Sequence, residues 1–368
     1  MAMMEKSKQT VDHVDSSQVV QTGNHSSVVI QNGMKPAEVI EMCEILIQNE
    51  IKRYTQQAEE TAVKRYQELS SKLGEALKSL DEVKLEKIKE PAVQIAANET
   101  YTEFIRSGEE FLGDKLIDLM IERMSVPEHT AKQIIIDEAR RMLSKLTKDL
   151  VDFLAIRTFL DLSLTRPRVW FTRLLEKVGD LGRNAYKVRA MDIGLLKQTG
   201  CATNLYIASS QSVEQILLEN YDAFFKKPVP KQQVLDLLKP YFNEAPKPDP
   251  TQKSSLNILL EIIGYIGDDW YFKMCRNQLY DPYIRAMKKP EYANVLFEFN
   301  KKAIGMTMVE VKSCLINLNK NWEGILYLFN REYVRSIHIT PVGYYIGLRH
   351  LCKQIGEEIP YSIFFPEK

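Results

Sequence analysis

The stretch IQNEIKRYTQQAEETAVKRYQELSSKLGEALKSL, residues 47–80, decides the fold class. Glu, Lys, Gln, Ala and Leu dominate it, all side chains that lose little freedom in a helix, and its one breaker is Gly74. Its apolar marks fall at Ile47, Ile51, Tyr54, Ala58, Ala62, Tyr66, Leu69, Leu73, Leu77 and Leu80, nine steps with a mean of about 3.67 residues. That period lies closer to an eleven-residue repeat than to a heptad, so the stripe predicts a straight or slightly right-handed helix packed lengthwise on a neighbour. The neighbour is either the next helices of the same domain or, as a coiled coil, another chain. The same composition reaches upstream to Lys35-Pro36-Ala37-Glu38, where proline suits a first helical turn, and downstream to about Ile88.

In front of this helix stands VVQTGNHSSVVIQNG, residues 19–33, in which Val-Val-Gln-Thr-Gly is echoed ten residues later as Val-Ile-Gln-Asn-Gly. Its β-branched residues and glycines predict a short strand repeat or hairpin over 18–35, after a loose polar segment at 1–17. An isolated two-stranded ribbon is marginal in water, and nothing near it in sequence offers a third strand. Val19, Val20, Gln21, Val28, Val29, Ile30 and Gln31 are therefore expected to pair with other copies of the chain.

Beyond the long helix, Pro91 restarts a helix through Ile105, Phe111–Met124 forms another, and Ile135, Ala139, Met142, Leu146 and Leu150 mark a thick apolar side. These close a helical domain at 36–165. Residues 166–243 read as mixed and mostly helical: Arg166-Pro167-Arg168-Val169-Trp170-Phe171 sits at the boundary, Thr199–Ile207 reads as a strand, and Gln211–Phe225 and Lys231–Phe242 as helices. Residues 244–255, with Pro246, Pro248 and Pro250, form a stiff linker. The remaining domain, 256–368, should carry helices at Leu256–Ile266, Trp270–Leu279, Lys301–Asn317 and Glu323–Phe329. A strand at Tyr333–Ile339 then meets a threonine N-cap, Thr340-Pro341-Val342-Gly343, and a last helix through Ile355. The expected class is mainly α, with a winged-helix-like strand-to-helix ending.

Lys+Arg and Asp+Glu both number 49, which excludes bulk electrostatic capture of nucleic acid or anionic membrane but leaves local patches open. Arg331, Arg335, Arg349 and Lys353 form one such candidate for nucleic acid or a partner, set against Glu310, Glu323 and Glu332. The five cysteines are scattered without a CxxC pair, as expected of reduced thiols in a cytoplasmic protein. No apolar leader is read at the N-terminus, and the longest unbroken apolar run, Ile325–Phe329, is far too short to cross a bilayer.

Catalytic patterns are missing. The five histidines show no metal-ligand spacing, and Gly179-Asp180-Leu181-Gly182-Arg183 is a poor substitute for a phosphate loop. Gly267-Asp268-Asp269-Trp270 reads as capping at a helix start, with Asp268 and Asp269 as the residues of a metal-dependent nuclease alternative. No cofactor, metal or catalytic residue is expected.

Three features taken in order carry a resemblance: VVQTGNHSSVVIQNG, the helix PAEVIEMCEILIQNEIKRYTQQAEETAVKRYQEL, and YTEFIRSGEEFLGDKLIDLMIERM with ARRMLSKLTKDLVDFLAI downstream. They resemble a bacterial family of helical proteins encoded singly or among defence genes. The closing HITPVGYYIGL is similar to the LTPxG ending of abortive-infection proteins of the alpha type. The resemblance implies a part in antiphage or stress defence and supplies no catalytic residues. The expectation is a non-enzymatic, self-assembling protein with itself and a phage or host protein as partners. A winged-helix nucleic-acid-binding regulator and a nuclease are the alternatives.

Overall fold

The computed structural model describes residues 18–22, 26–30, 40–41, 44, 47–48, 56–78, 80–127, 130–204, 211–242, 254–277 and 280–364. The chain is mainly helical with a few short antiparallel strands, and it divides into two compact units, Met1–Lys145 and Leu146–Lys368.

The first unit begins with an antiparallel hairpin, β1 (Gln18–Thr22) and β2 (Ser26–Ile30), in which Val19 pairs with Val29 and Val20 with Val28. Gln31 and the rest of the echo lie outside the described residues. The helix α1 (Gln56–Leu77) buries Ala62, Tyr66, Leu69, Leu73 and Leu77, so the 3.67-residue stripe is spent inside its own unit. Its facing side chains come from α3 (Pro91–Ser107) and α4 (Glu110–Met124), which follow the short α2 (Glu82–Glu86). Tyr66 and Tyr101 bring their rings to 5.1 Å, and Ser70 shares a 3.2 Å hydrogen bond with the Tyr101 hydroxyl. Ile51 and Tyr54 lie outside the described residues, and Ala58 is exposed.

The helix read as continuous to Ile88 stops at Leu77. Asp81 accepts a hydrogen bond from the Lys84 backbone N–H at 2.9 Å and caps a new start, because a short carboxylate competes for the backbone there. Gly108, at φ 66°, ends α3 in the left-handed region with its N–H on the Phe104 carbonyl, where a side chain would be strained. In α5 (Ala131–Leu143), Arg140 pairs with Glu99, and Asp137 pairs with the buried Arg123 of α4.

The second unit is built round α6 (Lys148–Asp161), whose residues from Leu150 to Ile156 are all buried. Around it lie α7 (Arg168–Leu181), α8 (Ala190–Gln198), α9 (Val213–Asn220) and α10 (Lys231–Leu238), then α11 (Ser255–Ile262), α12 (Asp281–Met287) and α13 (Pro290–Lys302). They are followed by α14 (Met308–Leu318), α15 (Trp322–Phe329), α16 (Glu332–Arg335) and α17 (Pro341–Ile355). An aromatic core of Phe159, Phe171, Tyr221 and Trp322 fills the middle. The Tyr221 hydroxyl donates to Leu162 O at 2.9 Å and Trp322 Nε1 to Leu175 O at 2.9 Å, so the rings bury without stranding their polar ends.

Two small sheets tie distant parts of this unit together. β3 (Ala202–Asn204) pairs antiparallel with β7 (Ile337–Ile339), while β4 (Val229–Pro230), β6 (Asp269–Phe272) and β5 (Ile263–Ile266) lie in that order. Strands from both sides of the proline-rich stretch at 244–255 therefore share sheets. Segments 166–243 and 256–368 form one unit, and α6 belongs to it although the sequence groups it with 36–165.

Several expected elements differ. Leu256–Ile266 is helical only to Ile262, and Trp270–Leu279 is not a helix: the segment turns back as a β5–β6 hairpin in which Ile266 pairs with Asp269. Gly267 at φ 64° supplies the left-handed turn, so Gly267-Asp268-Asp269-Trp270 is a hairpin tip and not a helix start. Lys301–Asn317 breaks at 303–307, where Thr307 and Glu310 form a capping box that starts α14. Of Tyr333–Ile339 the first residues are helical and Ile337–Ile339 alone form the strand. The Thr340 junction is as expected: its hydroxyl accepts from Gly343 N–H and donates to Gly200 O at 2.7 Å, with Pro341 in the first turn.

Candidate functional site

The segment Arg166-Pro167-Arg168 runs extended beside the continuation of β6. Arg168 N–H donates to Lys273 O at 2.6 Å and Cys275 N–H to Arg166 O at 2.9 Å, after which α7 begins at Arg168 itself. This placement puts the Arg168 guanidinium against two rings, 4.4 Å from the Phe224 centroid and 4.3 Å from that of Tyr271. Nη1 makes one long hydrogen bond, 3.4 Å to Ala223 O, and among the described residues no carboxylate pairs with the group. Burial holds its pKa below the ordinary value for arginine.

The guanidinium opens into a cavity of about 300 Å³. Gly264, Tyr271 and Lys273 face it from the β5–β6 hairpin, and Val169, Tyr265 and Ile266 form its rim. The Lys273 methylenes cross over Gly264, and its ammonium donates to Leu260 O. No Asp or Glu lines this cavity, whose polar side chains are two cations and two phenols. Sequence reading passed over Arg168. The signal available was an arginine at a first helical position, against the helix dipole, just after proline.

The residues singled out from sequence sit elsewhere. Arg331 stacks 4.0 Å from the centroid of the exposed Tyr327 ring, and Arg335 ends the short α16. Arg349 is committed to Glu358 at 2.5 Å, and Lys353 lies one turn further along α17. The assembly residues Val19–Gln21 and Val28–Ile30 are paired within their own hairpin. Asp268 and Asp269 occupy the β5–β6 tip, with Asp268 3.5 Å from Lys231 Nζ and its side chain 89% exposed. Among the described residues no group of three or more His, Cys, Asp or Glu is placed to hold a metal ion. Gly179 and Gly182 form no phosphate loop: they lie in a helix end pressed against Asn319 and Ile325.

The closing HITPVGYYIGLRH is used in packing. Gly343 faces the Cys201 carbonyl and Gly347 the Leu154 carbonyl, both so close that a Cβ would overlap. Between α6 and α17, His350 Nε2 meets Asp152 Oδ1 at 2.6 Å, and Lys148 Nζ meets Asp152 Oδ2 at 2.6 Å. Further along, the Tyr344 hydroxyl donates to Asp161 at 2.8 Å, and Asp161 also takes Arg157 at 3.0 Å. With His350 only 1% exposed, this dyad has no access for a substrate and serves to join the two helices.

Among the described residues no helix is long and apolar enough to cross a membrane. No curated protein and no solved structure matches the chain. A protein-family model does match, over residues 33–365, and its description carries no activity, substrate or partner. The match starts just past the N-terminal hairpin and takes in the rest of the first unit and nearly all of the second. The chain belongs to the family defined by that model over residues 33–365.

Proposed function

We propose that this is a non-enzymatic, self-assembling cytoplasmic protein of bacterial antiphage defence, which associates through its N-terminal hairpin and uses the second unit to sense a partner. The observation that carries the reading is the β1–β2 ribbon, two five-residue strands joined to no other strand among the described residues. A ribbon of this size gains too little by itself to stay ordered in water, and both its edges offer unpaired backbone groups to another copy. The hairpin precedes the family-matched region, consistent with an assembly element attached to a common body. The burial of the α1 stripe within its own unit speaks against a coiled coil and is consistent with association through the hairpin. The Arg349–Glu358 pair weakens the nucleic-acid alternative, since it spends one of the four proposed contacts. Deleting residues 1–33 and measuring mass by light scattering tests the reading. Dissociation to monomer is expected, and an unchanged mass refutes it.

A further inference from the structure

We propose that the Arg168 cavity binds a small aromatic anion, a carboxylate or phosphate ester whose acid group meets the edge of the guanidinium and whose ring lies on the Tyr265–Ile266 rim. The geometry of the arginine selects the acid group. Phe224 and Tyr271 lie against the guanidinium, their ring centroids 4.4 and 4.3 Å from its central carbon, and its in-plane N–H edge is what a partner can hydrogen-bond. That edge is the fork that receives carboxylate or phosphate in two parallel hydrogen bonds. Arg168 is half-buried, with no carboxylate beside it among the described residues and only the 3.4 Å bond to Ala223 O on its guanidinium, so the rest of its donors are open to a partner. Lys273 adds a second positive charge to the same cavity, and no acidic side chain lines it.

The rim selects the rest of the ligand. Val169, Tyr265 and Ile266 are 58%, 68% and 60% exposed, an apolar patch gathered round one opening. Gly264 leaves room for the Lys273 side chain laid across it, and a cavity of about 300 Å³ lies at the small end of ligand sites, room for one ring with an acidic substituent. Arg168 also braces Tyr271 against Phe224, so a purely structural clamp is the competing account that the experiment must separate.

Isothermal titration of the full-length protein with phenyl phosphate and with phenylacetate, beside inorganic phosphate and benzyl alcohol, supplies that separation. At least one aromatic anion is expected to bind, and at least ~10-fold more tightly than either control, because each control lacks one half of the recognition. The tighter of the two anions identifies the acid group. Trp270, whose ring lies 5.3 Å from that of Tyr265, should report the same event by fluorescence. Arg168→Gln should weaken binding by at least ~10-fold. Ile266→Asp, on the exposed rim, should do likewise without touching the core and serves if the arginine variant does not fold. Failure of both aromatic anions to bind the wild-type protein at millimolar concentration overturns the proposal. So does benzyl alcohol binding as tightly as they do, or unchanged affinity in Ile266→Asp or in a folded Arg168→Gln.

Discussion

Replacing Gly347 by alanine should destabilise the second unit, although alanine is the better helix former. The added methyl would sit 2.7 Å from the Leu154 carbonyl carbon, and closer still to its oxygen and to Thr158 Oγ1. Restoring ordinary contact requires α6 and α17 to separate by about 0.7–1 Å. The obstruction is mostly backbone, so no rotamer change relieves it, and overpacking of this kind costs up to about 3 kcal/mol. The propensity gain of alanine over glycine returns about 1 kcal/mol, leaving a net loss near 2 kcal/mol. For a unit of this size that corresponds to a melting temperature lower by about 4–8 °C. Gly194, on α8, is the matched control: nothing lies within 4 Å of its added Cβ, so Gly194→Ala should raise the melting point by about 2–4 °C. Thr158→Ala in the Gly347→Ala background should recover part of the loss, because it removes the hydroxyl and leaves the Leu154 carbonyl in place. Calorimetry of the four proteins decides the matter. A Gly347→Ala protein that melts at or above wild type refutes the close-approach argument.

Leu69→Ala, at a fully buried position of α1, should cost about 2–5 kcal/mol in a denaturant titration while leaving the oligomeric mass unchanged, because that stripe faces its own unit. Glu310 is held by Lys227 at 2.7 Å and by the Thr307 backbone N–H and hydroxyl, which pull its carboxyl from 4.5 to about 2. A depressed folded-state pKa means its contribution is complete above about pH 4.5 and lost as pH falls towards 2. The melting-point gap between wild type and Glu310→Gln should therefore narrow between pH 5 and about pH 2, and a constant gap contradicts it. Cys201 and Cys275 are fully buried, and burial pushes each thiol up to about 11, so neither should react with a disulfide reagent at pH 8 until the protein unfolds. Prompt modification of either in the native protein contradicts their placement.

The helical class was legible because Tyr66, Leu69, Leu73 and Leu77 repeat at helical spacing and are spent on one contact face. The hairpin was legible in its β-branched echo, and the Thr340 junction in the order of strand residue, threonine and proline. Ile263–Phe272 misled because its apolar residues, read without a partner, fit a helix as well as two strands. The choice was made by Gly267 in a left-handed turn and by pairing with Val229, far upstream. Arg168 escaped notice for a similar reason: Ala223, Phe224 and Tyr271, which define its surroundings, stand some 55 and 103 positions further along the chain. Sequence spacing carries local chemistry well and says little about which distant segments will meet.

The packing of α17 on α6 also sets an order of assembly. The first unit is complete by Lys145, so all of its partners have been synthesised while more than half of the chain is still to come. The second unit wraps its earliest helix with its last: Gly347 against Leu154, His350 against Asp152, and β7 against β3. Until the final few dozen residues emerge, α6 has no cover for the face that α17 will occupy, and β3 has no partner strand. Folding can thus follow synthesis for the first unit but must wait for α17 in the second, so a premature stop between Lys145 and Ile355 leaves a folded first unit attached to an open, sticky remainder.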